Sequence, residues 1–147
     1  MKVGALETSP AVTCSADAPV VQVARTMCEQ NVGSVVVVDD NARVVGIVTD
    51  RDLVERVLAP DRGATTRTAD VMTHDVICAH EDDDMFAAAN LMATHACRRL
   101  PVIDANGCLR GLISSDDLVM AFARPMDQLA RAIGLEVLPR PALTGLT

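Results

Sequence analysis

The chain has 147 residues, half of them apolar, and its 20 acidic against 13 basic side chains give a net charge of −7. Such length and apolar content exclude a disordered chain and leave room for one domain or two small ones. With no basic stripe to meet a duplex and only Phe86 and Phe122 to stack on bases, nucleic acid is not an expected partner.

At the N-terminus, MKVGALETSP has no apolar signal core, and no later apolar run reaches membrane-span length. The expectation is a cytoplasmic protein with no membrane partner. A short strand around Val12 leads to an acidic turn at Asp17. The helix that follows opens with Pro19 and puts Val20, Val23, Ala24 and Met27 on one face. Ser34 to Val38 reads as a buried strand, and Asp39-Asp40-Asn41-Ala42 as a turn. A second strand, Val44 to Val48, runs through GIVTDRD (46–52) into a helix with Leu53 and Val57 inward. Pro60, Gly63 and polar neighbours mark a linker over 59–67.

The same rhythm then returns. A strand at Val76-Ile77 and an acidic helix start at Asp82-Asp83-Asp84 are followed by a helix with Met85, Ala88, Ala89 and Met92 inward. Strands Leu100 to Ile103 and Leu109 to Ile113 lead through GLISSDD (111–117) to a helix marked by Leu118 and Phe122. Met126, Leu129, Ala130 and Ile133 predict a separate C-terminal helix over 124–135, with Gly134 as its stop, and a flexible tail over 136–147. Sliding the sequence by 65 residues lays 12–53 over 77–118 without a gap. Asp17/Asp82, Met27/Met92, Asp39/Asp104, Gly46/Gly111, Asp52/Asp117 and Leu53/Leu118 coincide. The order is β-α-β-β-α, twice.

In both copies a hydroxyl residue precedes aspartate by three positions at a helix start: Thr49/Asp52 and Ser114/Asp117. This is first of all a capping box. The same geometry also suits a ligand: the hydroxyl can bond a phosphate or sugar oxygen, and the carboxylate can accept the vicinal diol of a ribose. Glycine at the strand start permits close backbone approach. One hydroxyl can serve both ends, capping an empty site and contacting a ligand in a filled one.

The repeated units, the Asp/Asn turn and G-h-h-[ST]-x-x-D resemble the cystathionine β-synthase (CBS) domain over about residues 8–123, and the tandem resembles a Bateman module. The resemblance implies an α/β fold (α+β in some schemes) in which two repeats, 8–58 and 68–123, pack about a pseudo-twofold axis and leave two clefts. It implies an adenosine-containing regulatory ligand there (AMP, ADP, ATP, S-adenosylmethionine or NAD), with no cofactor required. By the same resemblance Asp52 and Asp117 would hold ribose hydroxyls, and Thr49 and Ser114 would sit beside ribose or phosphate. Backbone near Val12 and Ile77 and side chains near Val32 and Cys97 would bracket the adenine. Arg98 and Arg99 match a segment where related regulatory subunits place basic residues on phosphates, a role that suits guanidinium. Arg51 would partly substitute in the first motif. Asp117, from the same repeat, is expected to serve the cleft that draws on Arg98 and Arg99. A homodimer formed through apolar helices and an unidentified protein partner are also implied.

Cys14, Cys28, Cys78, Cys97 and Cys108 are odd in number and lack CxxC spacing, which reads as reduced, mostly buried thiols. Cys78-x-His80 and His95-x-Cys97 lack standard zinc spacing, His74 stands apart, and Glu81 to Asp84 lacks the ligand spacing of a calcium loop. No Ser/His/Asp or Cys/His constellation is legible, so a non-catalytic protein is expected. Two alternatives stand beside ligand sensing. One is a structural or interaction module with empty clefts; the other is a redox or metal sensor using His95 and Cys97.

Overall fold

Ser34–Val38 (β2) runs from one serine into four valines without alternation because both its faces are covered: four of its five residues are buried. Thr13–Cys14 (β1) flanks it in parallel and Val44–Thr49 (β3) antiparallel. In the second repeat Arg99–Ile103 (β5) lies between Ala79–His80 (β4) and Leu109–Ser114 (β6) in the same arrangement. The structure, a computed structural model, describes residues 1–6 and 10–134; the tail expected over 136–147 lies outside them. The helices are Val20–Gln30 (α1), Asp50–Leu53 (α2, prolonged by a π-helical turn over Val54–Leu58), Met85–Thr94 (α3) and Ser115–Ala132 (α4). The β-α-β-β-α order is observed twice. β1 and β4 are only two residues long and start slightly after the expected apolar positions.

Each repeat has its own core. Val23, Met27, Val35, Val37 and Val48 fill the first. Met85, Ala88, Met92, Leu100, Val102, Ile113 and Leu118 fill the second. The inward faces follow the helical periodicity of the sequence. Helix starts differ by one to three residues. Pro19 caps α1 in extended conformation, and Asp84 caps α3 by accepting the Phe86 N–H at 2.8 Å. The separate helix expected from 124 is the end of α4, which runs through Pro125 without a break. There proline removes the bond that would reach back to Ala121. Met126, Leu129 and Ile133 are 57%, 63% and 73% exposed, so this stripe is surface and only Ala130 is core.

The segments that lead into the repeats cross over. Val3 is fully buried in the core of the second repeat, its N–H donates to Asp83 O at 2.8 Å, and Lys2 pairs with Asp82 at 2.6 Å. Sixty-five residues on, Arg67 pairs with Asp17, the buried Thr68 donates its N–H to Ala18 O at 2.9 Å, and Met72 enters the first core. At the hairpin turns the equivalent residues Arg43 and Cys108 bridge each other antiparallel. Swapped lead segments and paired turns together tie the repeats about a pseudo-twofold axis.

Candidate functional site: two clefts between the repeats

Each G-h-h-[ST]-x-x-D segment ends a strand and starts a helix, and each closes a complete capping box. Thr49 donates its N–H to Asp52 Oδ2 at 2.9 Å, and Asp52 returns its N–H to Thr49 Oγ1 at 3.1 Å. Ser114 and Asp117 repeat this at 2.7 and 3.2 Å, and the Ser114 hydroxyl adds a bond to Asp117 Oδ2 at 2.7 Å. Gly46 does permit a close approach, but by protein: a Cβ there would lie 2.3 Å from Met72 Sδ. Met72 crosses β3 at the end of the swapped lead segment, which fixes the need for glycine.

The larger cleft, about 880 Å³, sets Thr49, Arg51 and Asp52 of the first repeat against Ile77, Cys97, Arg98 and Arg99 of the second. The smaller, about 240 Å³, sets Val12, Val32 and Gly33 of the first repeat against Ser114, Asp116 and Asp117 of the second, with Arg99 again in the wall. Every residue singled out from the sequence thus lines one of the two clefts, in crossed combination. The expected partnership of Asp117 with Arg98 is corrected by this crossing, whereas Arg99 does share the smaller cleft with Asp117. Arg98 shares its cleft with Asp52, whereas Arg99 borders both. Arg51 lines the larger cleft but is already paired with Glu55 at 2.6 Å.

A residue not singled out from the sequence braces the larger cleft. Arg56 holds Asp52 Oδ1 at 3.3 Å and donates to Val71 O at 2.8 Å and Thr73 Oγ1 at 3.1 Å. It therefore fastens the carboxylate of one wall to the segment of the other. Its spacing of four residues from Asp52 was the available signal. The equivalent position in the second repeat is the buried Ala121, which offers no such brace.

The lead strands differ too. Val36 donates its N–H to Val12 O at 2.9 Å in the smaller cleft. The equivalent of Val36 is Pro101, which has no N–H, so among the described residues the Ile77 carbonyl receives no such bond. In charge, three arginines line the larger cleft with three carboxylates (Asp50, Asp52 and Asp75), whereas Arg99 lines the smaller with Asp116 and Asp117, and Arg98 reaches Asp116 at 3.9 Å.

Four of the five cysteines are half-buried and Cys28 is exposed, so the thiols are less buried than expected. Loss of hydration pushes the thiols of Cys14, Cys78 and Cys97 up, away from the reactive thiolate. Among the described residues no three His, Cys, Asp or Glu side chains converge on a point. His95 and Cys97 line the larger cleft as isolated groups.

Known proteins share this architecture. The CBS domain family model matches residues 3–59 and 69–124. An uncharacterised 17.7 kDa protein of Acidianus ambivalens is 33% identical over 136 residues, covering 87% of this chain and 82% of its own. Among solved structures, the CBS domain pair of protein MJ0100 in complex with 5′-methylthioadenosine and S-adenosyl-L-methionine superimposes with a TM-score of 0.75 at 25% identity, covering 85% of this chain and 98% of that one. CBSX2 in complex with AMP superimposes with a TM-score of 0.72 at 26% identity, covering 85% and 98%. Repeated sheets, crossed clefts and the family match agree: the chain belongs to the CBS domain family and is a tandem CBS domain pair.

Proposed function

We propose that the chain is a non-catalytic regulatory module that senses an adenosine-containing ligand in its clefts and signals to a protein partner. The observation that carries the reading is the larger cleft, where the Thr49/Asp52 motif faces Arg98, Arg99 and the Ile77 carbonyl across the repeat boundary. Asp52 would accept the ribose diol, the arginines would take phosphate, and the Ile77 carbonyl would take the adenine amino group. Ile77, Cys97 and neighbouring aliphatics supply the apolar slot for the base. The adenosine compounds in the MJ0100 and CBSX2 structures support this ligand class. Because the walls belong to different repeats, a bound ligand favours one inter-repeat arrangement by its differential affinity. A partner can read that shift.

The reading places the protein in the cytoplasm; no helix of the described residues is long and apolar enough to cross a membrane. It also takes the working unit to be a homodimer. Val54, Leu58, Phe86, Val119, Met126, Leu129 and Ile133 expose apolar surface on helices of both repeats, and burying it against a second copy would remove that liability.

The experiment is thermal denaturation with AMP, ATP, S-adenosylmethionine and NADH as probes, followed by calorimetry. A ligand at one hundred times its Kd stabilises by about 2.7 kcal/mol, which is readily seen as a rise in Tm. Absence of any rise at millimolar ligand overturns the sensor reading. It would favour an interaction module whose clefts stay empty, a reading to which the fully closed capping boxes lend support.

A further inference from the structure

The geometry points to Arg99 as a cation shared by the two clefts, so that phosphorylated ligands in them compete for one guanidinium and weaken each other. This inference rests on the adenosine-ligand reading and deepens it. Arg99 opens β5, and its pseudo-twofold equivalent, Ser34, opens β2; both residues line both clefts. They therefore sit on the ridge between the clefts, next to the axis. Ser34 is buried and neutral, whereas Arg99 is exposed and charged. The guanidinium lies beside Gly33. A Cβ there would lie 3.8 Å from Arg99 Nη2 and 3.4 Å from Asp50 Oδ2, between a residue of the smaller cleft and one of the larger. Among the described residues no carboxylate pairs with Arg99 within 4.0 Å, so it can turn to either side.

Each bidentate edge of a guanidinium serves one phosphate, and a phosphate that holds it draws the side chain toward its own cleft. Among the described residues the smaller cleft has no other arginine in its wall; Arg98 reaches its Asp116 at 3.9 Å, and Asp117 opposes an anion there. The larger cleft keeps Arg98 when Arg99 turns away, with Arg51 in its wall paired to Glu55. Phosphate bound in the larger cleft thus draws Arg99 out of the smaller one and adds negative charge beside it. Binding energies are reciprocal, so each cleft weakens the other by the same factor. A ligand without phosphate leaves Arg99 unengaged, and the coupling disappears.

Calorimetric titration with AMP and with adenosine tests this on the full chain, using Asp52→Ala and Asp117→Ala to read each cleft alone. AMP is expected to bind the smaller cleft at least about fivefold more weakly when the larger is filled than in the Asp52→Ala protein. Adenosine is expected to show no such difference. Arg99→Ala and Arg99→Gln, both at an exposed position, should abolish the coupling and weaken AMP in each cleft read alone. Two uncoupled AMP sites in the wild type, or coupling that persists in both Arg99 variants, overturns the role of Arg99 while leaving the ligand reading intact. No AMP binding at millimolar concentration overturns both.

Discussion

The larger cleft holds Asp52 between a capping box and Arg56, with Arg98 across the gap; the smaller holds Asp117 by its capping box alone, with Asp116 beside it. The two sites descend from one motif at an offset of 65 residues, yet the substitutions around the motif make one a braced, charge-balanced cavity and the other a narrow, net acidic one. A repeated motif therefore fixes where clefts form. What each cleft can hold is set by residues that are not repeated: Arg56 against Ala121, Arg98 against Gly33, and Val36 against Pro101.

The largest expected effect separates the clefts directly. Asp52→Ala should weaken AMP in the larger cleft roughly 10- to 100-fold, the worth of hydrogen bonds to a charged acceptor, and leave the smaller cleft's affinity no lower. Asp117→Ala should leave the larger cleft's affinity nearly unchanged. Calorimetry on both variants reads this, and equal losses in the two would mean that the clefts are not separate sites. For stability, Gly46→Ala should cost roughly 1–3 kcal/mol in urea denaturation, because the new methyl must displace Met72 from the first core. Gly33→Ala meets only ordinary contacts with Asp50 and Arg99 and should cost much less. Arg56→Ala should follow at roughly 1–2 kcal/mol, since it removes two hydrogen bonds and an ion pair. It should also weaken AMP in the larger cleft of the Asp117→Ala protein, which a purely structural role for Arg56 would not do.

Much of this asymmetry could be read along the chain, and the reasons for the rest are physical. Elements, inward faces and both motifs were legible because hydrophobic period and cap chemistry are local. The crossing of the clefts was not. A repeat carries no statement of which copy packs its lead segment on which, so Asp117 was expected beside Arg98. One signal was available: the offset of 65 that pairs Asp17 with Asp82 also lays Lys2 over Arg67, and those four residues form the two equivalent ion pairs that tie the lead segments across. The continuity of α4 was hidden by Pro125, which reads as a boundary and is tolerated here on an exposed face.

The β5–β6 turn gives a comparison in acid. Asp104 accepts the Asn106 N–H at 2.8 Å and the Cys108 N–H at 3.0 Å, and Arg110 pairs with it at 2.7 Å. The Cys108 amide, then the Asn106 amide and Arg110, hold its carboxyl below the ordinary 3.8, and burial only partly offsets them. With the folded value depressed, its contribution to stability is complete at neutral pH and is lost as the pH falls through the folded value. Asp104→Asn should therefore flatten the acid limb of Tm measured from about pH 7 down to about pH 2. An acid limb identical to wild type would place the acid sensitivity elsewhere.

The smallest effect concerns the same turn in the other repeat. Gly107 sits at φ +80° and its equivalent, Ala42, at φ 60°, so both turns need the left-handed region and only one has the residue suited to it. An L-residue there costs about 1–2 kcal/mol, while glycine loses about 0.4–1 kcal/mol through the greater freedom of the unfolded chain. The difference predicts that Ala42→Gly stabilises by roughly 0.5–1 kcal/mol and Gly107→Ala destabilises by a similar amount. Both turns keep their bonds in the variants, since the Ala42 N–H to Asp39 O and the Gly107 N–H to Asp104 O involve backbone only. Urea midpoints with unchanged m-values would read the two shifts. If Ala42→Gly instead destabilised the protein, the exposed methyl of Ala42 would be contributing at the junction of the hairpins, and the two turns would differ in packing as well as in backbone strain.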